Sequence, residues 1–142
     1  MSNQNPIRTY YPAGYADYQL PAGVAGKTLY ITAEVLLDPA DSWKYSEMNE
    51  VSINGDPKFN TPTKPVARFK AGKISSLVGQ PMSIRTRLLL AYVNEKASQA
   101  GLPETTYSVS FFADNDLIER HELKVTDDAP KFYTKLKLSL ES

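Results

Sequence analysis

The chain has no cysteine, one histidine and one tryptophan in 142 residues. Without cysteine it can form no disulfide, no thiolate metal site and no thiol nucleophile. A single histidine excludes a catalytic histidine pair and any multi-histidine metal site. An excess of one charge is also lacking. Sixteen Lys and Arg balance sixteen Asp and Glu, and a cut at Ala71 leaves 7 against 7 before it and 9 against 9 after it. Nucleic-acid binding needs a phosphate-neutralising surface, usually visible as a basic excess or cluster, so no nucleic-acid partner is expected. Long hydrophobic runs are missing too. The opening residues are polar, lack the apolar core of a signal peptide, and no stretch approaches membrane-spanning length. The expectation is a cytoplasmic protein with no membrane partner, although export without a signal would leave the same sequence. There is no Gly-x-Ser-x-Gly motif, Walker loop or dinucleotide glycine fingerprint.

What is present is a chain long enough for one sizeable core and too short for two ordinary domains. Residues 1 to 27 place Tyr10, Tyr11, Tyr15 and Tyr18 among Pro12, Gly14, Pro21, Gly23 and Gly26, a composition that punctuates the backbone. They read as a Tyr/Pro/Gly-rich N-terminal arm laid over a single domain at residues 28 to 142. Within that domain, Leu29, Ile31, Ala33, Val35 and Leu37 alternate with polar neighbours, the period of a strand. Asp38-Pro39 ends it, and Trp43, Tyr45 and Met48 follow in a polar, loop-like setting. Val51-Ser52-Ile53 before Asn54-Gly55 signals a hairpin, with Pro57 limiting the return strand to an edge. Residues 56 to 65 carry three prolines and read as a surface loop.

The stretch from Met82 to Val125 organises the rest. Residues 83 to 100 are rich in helix formers, so a long helix is one reading. Ile84, Thr86, Leu88, Leu90 and Tyr92 alternate with Arg85 and Arg87, which favours a strand to Val93, and the Leu88-Leu89-Leu90 run suits a strand covered on both faces. A short helix near 94–100 follows, capped by Asn94 and ended by Gly101. Strands at Thr106–Ala113 and Leu117–Val125 flank an Asp114-Asn115-Asp116 turn. A last strand points Phe132, Thr134, Leu136, Leu138 and Leu140 inward. Short strands divided by Pro, Gly, Asn and Asp turns predict an all-β fold, an antiparallel two-layer β-sandwich. In strand count and spacing the outline resembles Ig-like or C2-like sandwiches, with a jelly roll or barrel as the nearest alternative. It lacks the Cys-Trp-Cys pattern of true Ig domains.

Three groups of residues could carry function. Tyr10, Tyr11, Tyr15, Tyr18, Trp43 and Tyr45 could form an interface anchor or a stacking platform for sugar rings, because an aromatic ring buries a large area while Tyr and Trp keep a polar tip. The competing reading is that these rings cover the core of their own domain. Asp114, Asp116 and Asp127 lie in turns whose oxygens could complete a calcium shell if two turns met at one end, though Asp is also an ordinary turn residue. His121 falls on the face of Leu117, Leu123 and Val125 and reads as a half-buried structural residue, with Glu119 or Glu122 as orienter in a hydrolase reading. Arg85 and Arg87 could bind an anion or pair with Glu119 or Glu122, and Lys135 and Lys137 look like edge protection. The sequence thus points to a non-catalytic interaction or structural module working through protein contacts, with another protein or a second copy as partner and no cofactor required. A small carbohydrate-binding module, with or without calcium, is the alternative, and a hydrolase using His121 a third reading.

Overall fold

The computed structural model describes residues 3–61 and 66–142. Two antiparallel sheets pack face to face, as the alternating pattern predicts. The strands are β1 (Ile7–Arg8), β2 (Ala16–Leu20), β3 (Thr28–Asp38), β4 (Trp43–Ile53), β5 (Asp56–Thr61), β6 (Val66–Lys73), β7 (Pro81–Tyr92), β8 (Glu104–Ala113), β9 (Asp116–Val125) and β10 (Lys131–Leu140). Two short helices, α1 (Ile74–Leu77) and α2 (Glu95–Gln99), interrupt them. The larger sheet has the order β1-β10-β7-β4-β5, with β2 also paired to β10, and the smaller has the order β6-β3-β8-β9.

Period-two patterning decides which side chains meet between the sheets. From the smaller sheet come Leu29, Ile31, Tyr107, Val109 and Phe111; from the larger come Met82, Ile84, Phe132, Leu136 and Leu138, all at most 2% exposed. Tyr107 and Phe132 stack across the gap with centroids 4.5 Å apart. Each such ring or aliphatic chain contributes about 1.5–3 kcal/mol on burial. Local signals set the ends. Asn54 and Gly55 take φ of 53° and 76° in the β4–β5 hairpin, the left-handed values that Asn-Gly tolerates. The Asn94 side chain accepts the Ala97 N–H at 2.9 Å and starts α2.

Several expectations are corrected. Where composition predicts an N-terminal arm, β1 pairs antiparallel with the first half of β10 and β2 runs parallel to its second half, so this segment completes the larger sheet. Tyr10, Tyr11, Tyr15 and the prolines lie in the turns around those strands, and Tyr18 lies within β2. The loop-like Trp43–Met48 segment belongs to an 11-residue strand paired with β7 along its length. Its polar residues are tolerated because they alternate between solvent and a buried hydrogen-bond network. Of the loop expected at 56–65, residues 56–61 form edge strand β5, as Pro57 requires, and 62–65 lie outside the described residues. The favoured strand reading of residues 83–92 is borne out over the long-helix alternative. Lys135 and Lys137 protect no edge, because β10 is interior to its sheet.

Candidate interaction surface

Two buried polar chains connect the sheets. Thr86 donates from Oγ1 to Asn49 Oδ1 at 2.7 Å and lies 2.8 Å from the Tyr107 hydroxyl, while Asn49 Nδ2 donates to Glu47 at 3.0 Å. This cross-sheet link explains how Glu47 and Asn49 stay inside; burial raises the Tyr107 pKa above the usual phenol range. At the other chain, Tyr18 of β2 meets His121 of β9, hydroxyl to Nε2, at 2.6 Å. Glu119 Oε2 lies 3.5 Å from the same nitrogen, and its carboxylate accepts Asn3 Nδ2 at 2.7 Å. Burial lowers the His121 pKa against the opposing pull of Glu119, keeping the ring neutral at pH 7. Burial, then Glu119, raises that of Tyr18. His121 thus contacts Tyr18, Glu119 and the Phe111 ring, a clasp that ties the N-terminal strands to the smaller sheet.

The expected face-mates of His121 are corrected in part. A register shift between Phe111 and Phe112 pairs Leu117 with Phe112 and Glu119 with Phe111. The bulge turns Leu117 to solvent, 54% exposed, while Glu119, two residues before His121 on the regular side of the bulge, stays beside it.

The six aromatic candidates do not form one platform. Tyr18 is 1% exposed and Trp43 6%, both in the core, with Trp43 packed on Tyr92 at 4.3 Å. Tyr11 and Tyr15 close over Lys135, whose Nζ lies 4.4 and 4.5 Å from their ring centres and donates to the Pro12 carbonyl at 3.2 Å. Tyr10 stays exposed beside them, and Tyr45 sits at the far end of β4, where burial and Glu47 raise its pKa. The carboxylate candidates separate as well. Asp114 and Asp116 stand at one end of β9 and Asp127 at the other, about 30 Å away along a strand of 10 residues. Asp114 instead accepts the Thr28 N–H at 3.0 Å, Asp116 pairs with Lys27 at 3.6 Å, and Asp127 caps its own turn through the Ala129 N–H, which lowers its pKa. Among the described residues no three His, Asp or Glu side chains group as metal ligands.

What the topology does assemble is the outer face of the larger sheet. Register places Arg8, Tyr133, Arg85 and Glu50 in one row across β1, β10, β7 and β4. Lys131, Arg87 and Met48 form the next row, then Leu89 opposite Ser46 and Ala91 opposite Lys44. Arg85 pairs with Glu50 at 3.3 Å, not with Glu119 or Glu122, which belong to the other sheet. Among the described residues Lys44, Arg87, Lys131 and Lys137 have no ion-pair partner.

Between these cations runs an apolar trough. Leu89 is 70% exposed and Met48 47%, although β7 and β4 are interior strands. Leu88 beside it is buried, so the triple-leucine run is covered on one face only, contrary to expectation. A groove of 380 Å³ lies over Met48, Leu89, Ala129 and the stems of Arg87 and Lys131. A second, of 290 Å³, continues past Ser46 and Leu89 to Lys44, Tyr45 and Ala91. Sequence reading singled out Arg85 and Arg87 but missed Met48, Leu89 and Lys131. The signal was a leucine at an outward position, two residues after Arg87 in the same alternation. No described helix is long and apolar enough to cross a membrane. Comparison with protein-family models, with curated proteins and with solved structures finds no match to this chain.

Proposed function

We propose that this protein is a non-catalytic β-sandwich module that works by protein contact through the outer face of its larger sheet. The observation that carries the reading is the exposed Leu89–Met48 pair on two interior strands, inside a groove instead of alone among polar neighbours. Scattered exposed aliphatics are ordinary, whereas a contiguous apolar patch rimmed by charge is characteristic of an interface. Leu36 on the other sheet provides the contrast: it is 63% exposed, but its opposite and diagonal neighbours on β8 are Thr106, Ser108 and Glu104, whereas Leu89 has Met48 on the diagonal. The buried Thr86–Tyr107 and Tyr18–His121 contacts join the sheets, and the outer skin is the place where chemistry meets a partner.

Site-specific photocrosslinking tests this. A photoreactive residue at position 89 is expected to capture protein in cells making the chain, and one at position 36 is not. Equal capture at both positions, or none at 89, overturns the reading. The adduct mass separates a second copy from a different protein.

A further inference from the structure

We infer that the partner of this face is an acidic polypeptide segment carrying aliphatic or aromatic anchors. The inference rests on the proposed contact surface and adds the chemistry of what covers it. The trough supplies apolar floor from Leu89, Met48 and Ala129, and a partner must bring apolar side chains to cover that floor. Around it stand Arg87 and Lys131 on one side and Lys44 on the other, none in an ion pair among the described residues, Glu50 beside Arg87 being paired with Arg85. Arg85 and Arg87 lie two residues apart on one strand, about 7 Å, and Lys131 lies one strand over, about 4.8 Å between backbones. Carboxylates alternating with apolar residues on an extended segment have the same repeat. Complementary charge would speed encounter and fix register, and the apolar floor would slow departure.

A second copy of the chain suits this face poorly. In a symmetric pair the same patch meets itself, setting Arg87 and Lys131 against their own equivalents. A head-to-tail contact would draw on the acids of the opposite sheet, where Glu34 and Glu122 already share Arg120 and the exposed Asp38 and Glu104 stand together at one strand end. Nucleic acid suits it no better. Its bases need rings to stack on, and the grooves are floored by aliphatic chains, with Tyr45 at the far end as the one ring lining them.

The test is selection of a random peptide library on the full chain, on Arg87→Glu/Lys131→Glu and on Leu89→Ser. All three positions are exposed, so the variants keep the fold, checked by unchanged thermal unfolding. Peptides enriched in Asp and Glu together with Leu, Ile or Phe are expected from the natural chain and absent from the charge-reversed one. A selected peptide should bind the charge-reversed variant about tenfold more weakly or worse, and weaken as salt shortens the ~8 Å screening length. Apolar peptides without acid enrichment, lost on Leu89→Ser, would retain the contact surface and overturn the acidic partner. Identical selections from the natural chain and Leu89→Ser would overturn both. An oligonucleotide that displaces the selected peptides would replace this partner with nucleic acid.

Discussion

On the outside of the smaller sheet the arginines are engaged with acids or rings, and Lys70 and Lys124 stand on the edge strands β6 and β9. Arg120 lies 3.4 Å from Glu122 and 4.0 Å from Glu34, and the Arg68 guanidinium rests over the Tyr30 ring at 4.4 Å. On the outside of the larger sheet Lys44, Arg87 and Lys131 stand without such partners among the described residues, around aliphatic side chains open to solvent. Both faces arise from the same polar alternation, so local pattern does not distinguish them. The difference lies in what each cation finds across the strand: on β8 and β9 a carboxylate or hydroxyl, on β4, β7 and β10 mostly another cation, a serine or an aliphatic chain. A surface that serves solubility alone can engage its charges within itself, as the arginines of the smaller sheet do. Beside the Arg85–Glu50 pair, the larger sheet leaves Lys44, Arg87 and Lys131 unpaired among the described residues, and an external partner can use them.

If stability resides between the sheets and recognition outside one of them, substitutions should sort accordingly. The largest loss is expected from Phe111→Ala, which empties a fully buried ring site; about 3–5 kcal/mol should disappear from the urea-unfolding free energy. A smaller cost at this site would mean that the gap between the sheets tolerates collapse. Next comes Lys135→Ala, on the outer face yet 8% exposed beneath Tyr11 and Tyr15. Loss of its cation–π contacts and hydrogen bond should cost about 1–2 kcal/mol and loosen residues 10–15 in hydrogen exchange. A neutral outcome would move this half of the face from the structural to the free category.

His121 predicts a pH effect of known sign. Its folded pKa lies below the unfolded value of 6.5, so between the two the unfolded chain binds more protons. The clasp's contribution is therefore complete above pH 6.5 and declines as pH falls from there toward the folded pKa. His121→Gln should flatten the dependence of the urea midpoint on pH in that window. An unchanged slope would show that other groups set it. The smallest effect is expected on the proposed contact face itself. Leu89→Ser and Arg87→Gln should each change stability by no more than about 0.5 kcal/mol while altering binding. A loss several times larger would assign Leu89 to the core and erase the contrast between the two faces.

Much of the fold was legible because its signals are local. The alternation in residues 29–37, 82–92 and 132–140 records side chains facing opposite ways, and Asn54-Gly55 and Asn94 act within a few residues of themselves. The misreadings share one cause. Residues 16–20 are strand because β10 offers them a partner more than a hundred residues away, and Glu47 and Asn49 look like loop residues until Thr86 and Tyr107 satisfy them. Leu117 followed the period of two until a bulge, defined only against β8, turned it outward.

Charge shows the boundary most plainly. The sequence by itself determined a neutral chain, alternating strands, the absence of thiol chemistry and a single histidine. Only the tertiary structure decided that Lys44, Arg87 and Lys131 share a face and that Glu119 and Glu122 belong to the other sheet. The physical reason is that net charge is a sum over the chain, whereas the field at a surface depends on which distant strands hydrogen-bond side by side.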